Sequence, residues 1–132
     1  MKVELFCVCD FASADAGGKL NIIGVFDTIH AEETPFTQNL FSVAGRVRFE
    51  ESEVGPKRFK LTILDSEGKP IVQPLEAAVD VNRAPGETTA IAQIALLLSH
   101  IRLPRFGQYR IEMEIENIPA ASTVLNVRKP RP

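Results

Sequence analysis

The chain has 132 residues, enough for one domain whose core needs no disulfide or metal to hold it. Fifteen Lys and Arg against seventeen Asp and Glu leave a formal net charge of −2. No global field therefore draws the chain onto nucleic acid or an anionic membrane.

The first apolar run, after Met1-Lys2, is broken by Glu4 and ended by Asp10, which leaves no signal-peptide core and predicts a cytoplasmic protein. Gly and Pro then punctuate the chain at near-even intervals: Gly17-Gly18, Pro35, Gly55-Pro56, Gly68-Lys69-Pro70, Pro85-Gly86, Pro104, Gly107 and Pro119. Eight segments of strand character lie between these marks, near 2–10, 19–31, 40–50, 57–65, 71–82, 88–98, 107–116 and 122–128. Such a rhythm predicts a single antiparallel β-sandwich spanning 1–132, with a frayed tail at 129–132.

The first two segments differ from the rest. Leu5-Phe6-Cys7-Val8-Cys9 and Ile22-Ile23-Gly24-Val25-Phe26 are apolar on both faces, which an antiparallel sheet with one wet face does not require. A covering loop (10–19 or 31–40, the latter with Pro35, Phe36 and Leu40) or a second copy of the protein would account for it. Gly24 and Gly45, inside strand segments, mark bulges or close backbone approach. Cys7 and Cys9 share a strand face, a placement that suits packing better than bridging, so they are expected to be reduced, buried and metal-free.

The third segment sets Phe41, Val43, Val47 and Phe49 against Ser42, Arg46, Arg48 and Glu50. The fourth sets Phe59, Leu61 and Ile63 against Arg58, Lys60 and Thr62. Asp65-Ser66-Glu67-Gly68 has the acceptor and the glycine of a tight turn. Thr88–Leu98 fits a helix, with Ala90, Ile91, Ile94, Ala95 and Leu98 on one face, or a strand; the all-β rhythm favours the strand. Its apolar run Ile94–Leu98 is far too short to cross a membrane. Tyr109, Ile111, Met113 and Ile115 alternate with Arg110, Glu112, Glu114 and Glu116, and a last strand follows around Thr123, Leu125 and Val127.

The runs LFCVCDFASADAGGKLNIIGVFDTIHA and HIRLPRFGQYRIEMEI, with the closing LNV, resemble a family of small single-domain bacterial proteins of unknown function. The resemblance implies a C2-like or immunoglobulin-like β-sandwich and supplies no catalytic residues. It departs at Glu116-Asn117, where an Asp-Gly or similar turn is expected.

No constellation of reactive residues stands out. Cys7, Cys9, His30 and His100 are zinc-ligand types, but C-x-C is not the usual knuckle and the histidines lie 70 residues apart. Asp10, Asp15, Asp27, Asp65 and Asp80 are scattered singly, without the converging carboxylates calcium needs. Ser99-His100 are sequence neighbours, there is no G-x-S-x-G elbow, and Gly17-Gly18 lacks the spacing of a phosphate loop. These patterns predict neither an enzyme nor a cofactor or metal site.

Arg102, Arg105 and Arg110 surround Phe106 and Tyr109, a grouping that suits a ligand or nucleic acid. The ordinary alternative makes the arginines a solvated face, with Tyr109 as a tyrosine corner tying a loop. The sequence thus predicts a non-enzymatic protein-binding or self-associating module. Its expected partner is itself or another protein, through Phe6, Val8, Ile23 and Val25; a ligand patch at Arg102, Arg105 and Arg110 is the alternative.

Overall fold

The computed structural model describes residues 1–131. Nine strands form two sheets: β1 (Lys2–Ala14), β2 (Leu20–Val25), β3 (Thr28–His30), β4 (Phe36–Glu50), β5 (Gly55–Leu64), β6 (Leu75–Val81), β7 (Thr89–Leu103), β8 (Gly107–Ile115) and β9 (Ile118–Arg128). One sheet runs β2-β1-β4-β7 and the other β3-β9-β8-β5-β6. The expected all-β sandwich is what forms, with nine strands in place of eight.

The extra strand comes from the 19–31 segment, which divides between the sheets. β2 stays beside β1, whereas β3 crosses over and pairs in parallel with β9, the one departure from an antiparallel design. The crossing is fastened at Phe26 and Asp27. Phe26 sets its ring edge-on to Phe41 at 6.5 Å, and the Asp27 carbonyl accepts the Asn126 amide at 2.7 Å. The ambiguous 88–98 segment is a strand and continues to Leu103, whereas the 71–82 segment shortens to Leu75–Val81.

The core is built by period-two alternation on both sheets. Phe41, Val43, Val47 and Phe49 on β4 meet Phe59, Leu61 and Ile63 on β5 and Tyr109, Ile111, Met113 and Ile115 on β8. None of these eleven is more than 7 % exposed. Each contributes on the order of 25 cal/mol per Å² of apolar area removed from water.

β1 turns a corner. Its first half pairs with β4 from Lys2 to Cys9, and its second half pairs only with β2, from Cys9 to Ala14. At the corner Gly24 has φ +69°, and a side chain there would overlap the Asp10 carboxylate. Only glycine satisfies both conditions. The hairpin then folds back over the outer face of its own sheet, where Gln93 of β7 donates to the Gly18 carbonyl at the hairpin tip. Ala12, Leu20 and Ile22 thereby cover Leu5, Cys7, Cys9, Ala44 and Ala95, a second apolar cluster outside the main core. Of the two loops offered as covers, 10–19 belongs to this hairpin; residues 36–40 are instead the start of β4. Gly45 needs no close approach, since a side chain there would meet its neighbours at ordinary contact distance.

Turns follow their chemistry. Asp65 accepts the Glu67 and Lys69 amides through Oδ1, both at 2.9 Å, and Gly68 has φ +80°. Glu116 and Asn117 both have positive φ, 51° and 64°, so the last hairpin closes on a two-residue turn of the primed type without glycine. Tyr109 is a tyrosine corner: its buried ring carries a hydroxyl that donates to the Arg105 carbonyl at 2.6 Å and accepts the Arg105 amide at 3.0 Å. Of the tail expected to fray, Lys129–Arg131 lie beyond β9, with the Lys129 ammonium 5.8 Å from the Phe106 ring centroid; Pro132 is outside the described residues.

Truncating the fully buried Ile111 to Ala is expected to cost about 2–5 kcal/mol in urea unfolding. Tyr109→Phe removes one donor and strands the Arg105 amide, an expected loss of about 1–3 kcal/mol by the same measurement. Four carboxyls are held below their ordinary range: Glu4 by Arg48 and Arg46, Asp15 and Asp65 by the amides of Lys19 and Lys69, and Glu53 by the N-terminal ammonium. Depressed folded-state values mean stabilisation that is complete above the ordinary carboxylate range, about pH 4, and lost below it. The urea midpoint is therefore expected to fall between about pH 6 and pH 3.

Candidate functional site

The residues expected to form an interaction surface separate into two groups. On β1, alternation sends Phe6 and Val8 inward: Val8 is buried in the main core and Phe6 packs against it. Neither is presented to a partner, which corrects that half of the expected surface. Ile23 and Val25 are 63 % and 65 % exposed, and Phe11, the register partner of Ile23, is 49 % exposed. At the other end of the same sheet Leu40 and Leu97 are each more than half exposed, and Ile91 is exposed six residues before Leu97 along β7. Val25, Cys9, Ser42 and Leu97 form one register row across the sheet, with the two small residues buried between the two exposed large ones. Sequence reasoning missed Phe11, Leu40, Ile91 and Leu97. An apolar residue on a strand reads as core until the neighbouring strand is known.

The arginine group is dispersed and largely neutralised. Arg105, in the β7–β8 loop, lies 3.6 Å from the Asp65 carboxylate, and Arg110 on β8 lies 3.5 Å from Glu112. Arg102 is on β7, paired in register with Thr37 of β4. Phe106 takes the Lys129 ammonium over its ring, and Tyr109 is core. The arginines therefore make a mixed-charge surface and not a basic stripe.

A second polar group lies on the outer face of the first sheet. Glu4 accepts from Arg46 Nε and Arg48 Nε, both at 2.9 Å, while the same arginines reach Gln93 and Thr89 on β7. Both arginines share the Glu4 carboxylate and find neutral acceptors on β7, so the group ties β1, β4 and β7 together.

Nucleophile chemistry finds no support in the thiols. Cys9 is buried, and burial pushes its pKa up to about 11; Cys7 is half-buried and raised by the same cause. A thiol so shifted is almost entirely protonated at neutral pH, the reverse of what a reactive cysteine needs. His30 sits on β3 and His100 on β7, and no three His, Cys, Asp or Glu side chains converge among the described residues. Among those residues no helix is long and apolar enough to cross a membrane.

The sandwich is open along one side. β7 ends the first sheet and β6 ends the second, and between them lies an apolar cavity of about 140 Å³. Its walls include Phe6, Val43, Ile94 and Leu96 from one sheet and Leu75 and Met113 from the other. Ile94 and Leu96 face inward yet remain half-buried, because nothing packs over the edge.

No curated protein matches the chain in sequence. Among solved structures, the fold is similar to Pseudomonas fluorescens alkylpurine DNA glycosylase AlkC bound to DNA containing an abasic site analog. That similarity has 10 % identity and a TM-score of 0.42, over 93 % of this chain and 30 % of the glycosylase chain. A likeness so distant transfers no function. The family model for a family of unknown function, DUF6941, matches residues 4–128, nearly the full length, and the chain belongs to that family.

Proposed function

We propose that this chain is a non-enzymatic, protein-binding module of the cytoplasm whose first partner is a second copy of itself. The observation that carries the reading is the set of large apolar side chains left in water on one sheet: Phe11, Ile23 and Val25 on the hairpin, Leu40, Ile91 and Leu97 towards β7. Monomeric proteins rarely expose contiguous apolar patches beyond a few hundred Å², and larger ones mark interaction surfaces. The protonated thiols and the matched arginines support binding over catalysis. The free cysteines suit a reducing compartment.

Sedimentation velocity at micromolar concentration is expected to show a species larger than the monomer. A variant carrying Ile23→Asp, Val25→Asp, Ile91→Lys and Leu97→Lys is expected to run as a monomer with an unchanged β-type circular dichroism spectrum. All four positions are exposed, and exposed substitutions usually change stability by no more than about 0.5 kcal/mol. A wild-type chain that stays monomeric throughout this range overturns the proposal.

A further inference from the structure

Four strands end the two sheets, and three are short: β2 has six residues, β3 three and β6 seven. β7 has fifteen and pairs on one side only, with β4. Among the described residues no strand takes up its other row of amides and carbonyls. Natural edges of that length are guarded by lysine, proline, bulges or a covering segment. Over Thr89–Ser99 β7 carries no charged residue and no proline. The apolar cavity opens beside this edge, walled by its own Ile94 and Leu96.

We infer that β7 is the docking edge for a second copy of this chain, the two β7 strands pairing antiparallel about a two-fold axis at Ile94. The inference rests on the self-association proposed above and assigns it a site. The uncharged stretch Thr89–Ser99 is centred on Ile94, so this register is the one that overlays it fully on its copy. Ile91 then falls opposite Leu97 of the second copy, twice by symmetry, which pairs the two exposed large apolar residues of the strand. Within the paired stretch Thr89–Ser99 neither copy carries a charged side chain, so no like charges meet. The two Ile94 side chains meet on the inward side, where the cavities open, and each copy closes the other.

Eleven paired residues at about 3.4 Å each, across an edge about 20 Å thick with its side chains, bury roughly 1,500 Å² in total, within the range of stable interfaces. A two-fold contact of this kind closes on itself and leaves no further long edge exposed. β7 supplies the hydrogen-bonding edge and the cavity receives side chains, the division of roles seen in strand addition generally.

The test uses the full-length chain in sedimentation equilibrium. Ile91→Lys or Leu97→Lys alone is expected to weaken the dimer about 100-fold or more, because each places a charge against an apolar partner. The double variant Ile91→Lys with Leu97→Glu creates two Lys–Glu pairs across the axis and is expected to recover affinity to within about tenfold of wild type. Within one chain these positions are about 20 Å apart along the strand, so the recovery has no intramolecular route. A wild-type dimer indifferent to both single variants, but dissociated by Ile23→Asp with Val25→Asp, keeps the self-association reading and overturns the edge. Loss in the single variants without recovery in the double overturns the register and with it the inference. A wild-type monomer leaves the edge to a strand from another protein and overturns both.

Discussion

The antiparallel ladder between β4 and β7 is the constraint on which the molecule depends. It keeps one register from Phe36 opposite Leu103 to Glu50 opposite Thr89, interrupted at Asn39 and His100, where His100 has φ 55°. Its inner face supplies Phe41, Val43, Val47 and Phe49 on one strand and Ala90, Ala92 and Leu98 on the other, one wall of the core. Small residues on β7 opposite large ones on β4 let the second sheet approach closely. The same ladder leaves the far side of β7 without a neighbour, so the element that organises the core also creates the longest free edge.

The corner in β1 follows from what the ladder leaves uncovered. The outer face of β4 and β7 carries Ala44 and Ala95 beside Leu5, Cys7 and Cys9, and this apolar strip would otherwise lie in water. The hairpin folds back over it, with Gly24 and Asp10 shaping the bend and Gln93 holding the tip. The burial that raises the Cys9 pKa comes from this fold-back. Both thiols pack in this cluster, and the same burial raises their pKa values.

Polar chemistry on this chain is spent on architecture. Glu4 ties Arg46 and Arg48, Asp65 holds a turn and meets Arg105, and Tyr109 pins the β7–β8 loop. Of the arginines that read as a candidate ligand patch in the sequence, Arg105 meets Asp65 and Arg110 meets Glu112. The largest group of exposed apolar side chains, Phe11, Ile23, Val25, Leu40, Ile91 and Leu97, lies on the first sheet.

Alternation along β4, β5 and β8 was legible from the sequence because a period-two pattern with polar residues on the opposite face has one way to sit on a core. The alternating apolar residues of those three strands are buried as that pattern requires, and Asp65-Ser66-Glu67-Gly68 and Tyr109 act as their local chemistry dictates. Strand order, and therefore which edges stay open, depends on contacts between residues far apart in the chain, which no local pattern encodes. On β1 and β2 both faces are apolar, so periodicity could not say which of Phe6 and Val8 or Leu5 and Cys7 would meet the core. The tertiary structure decided that by bending β1 at Asp10, sending Phe6 and Val8 inward and laying the hairpin over Cys7 and Cys9, because this arrangement covers both apolar faces of the first half of β1 within one chain. It left Ile23, Val25 and the β7 edge exposed for the same reason: one hairpin can cover only one strip of the sheet.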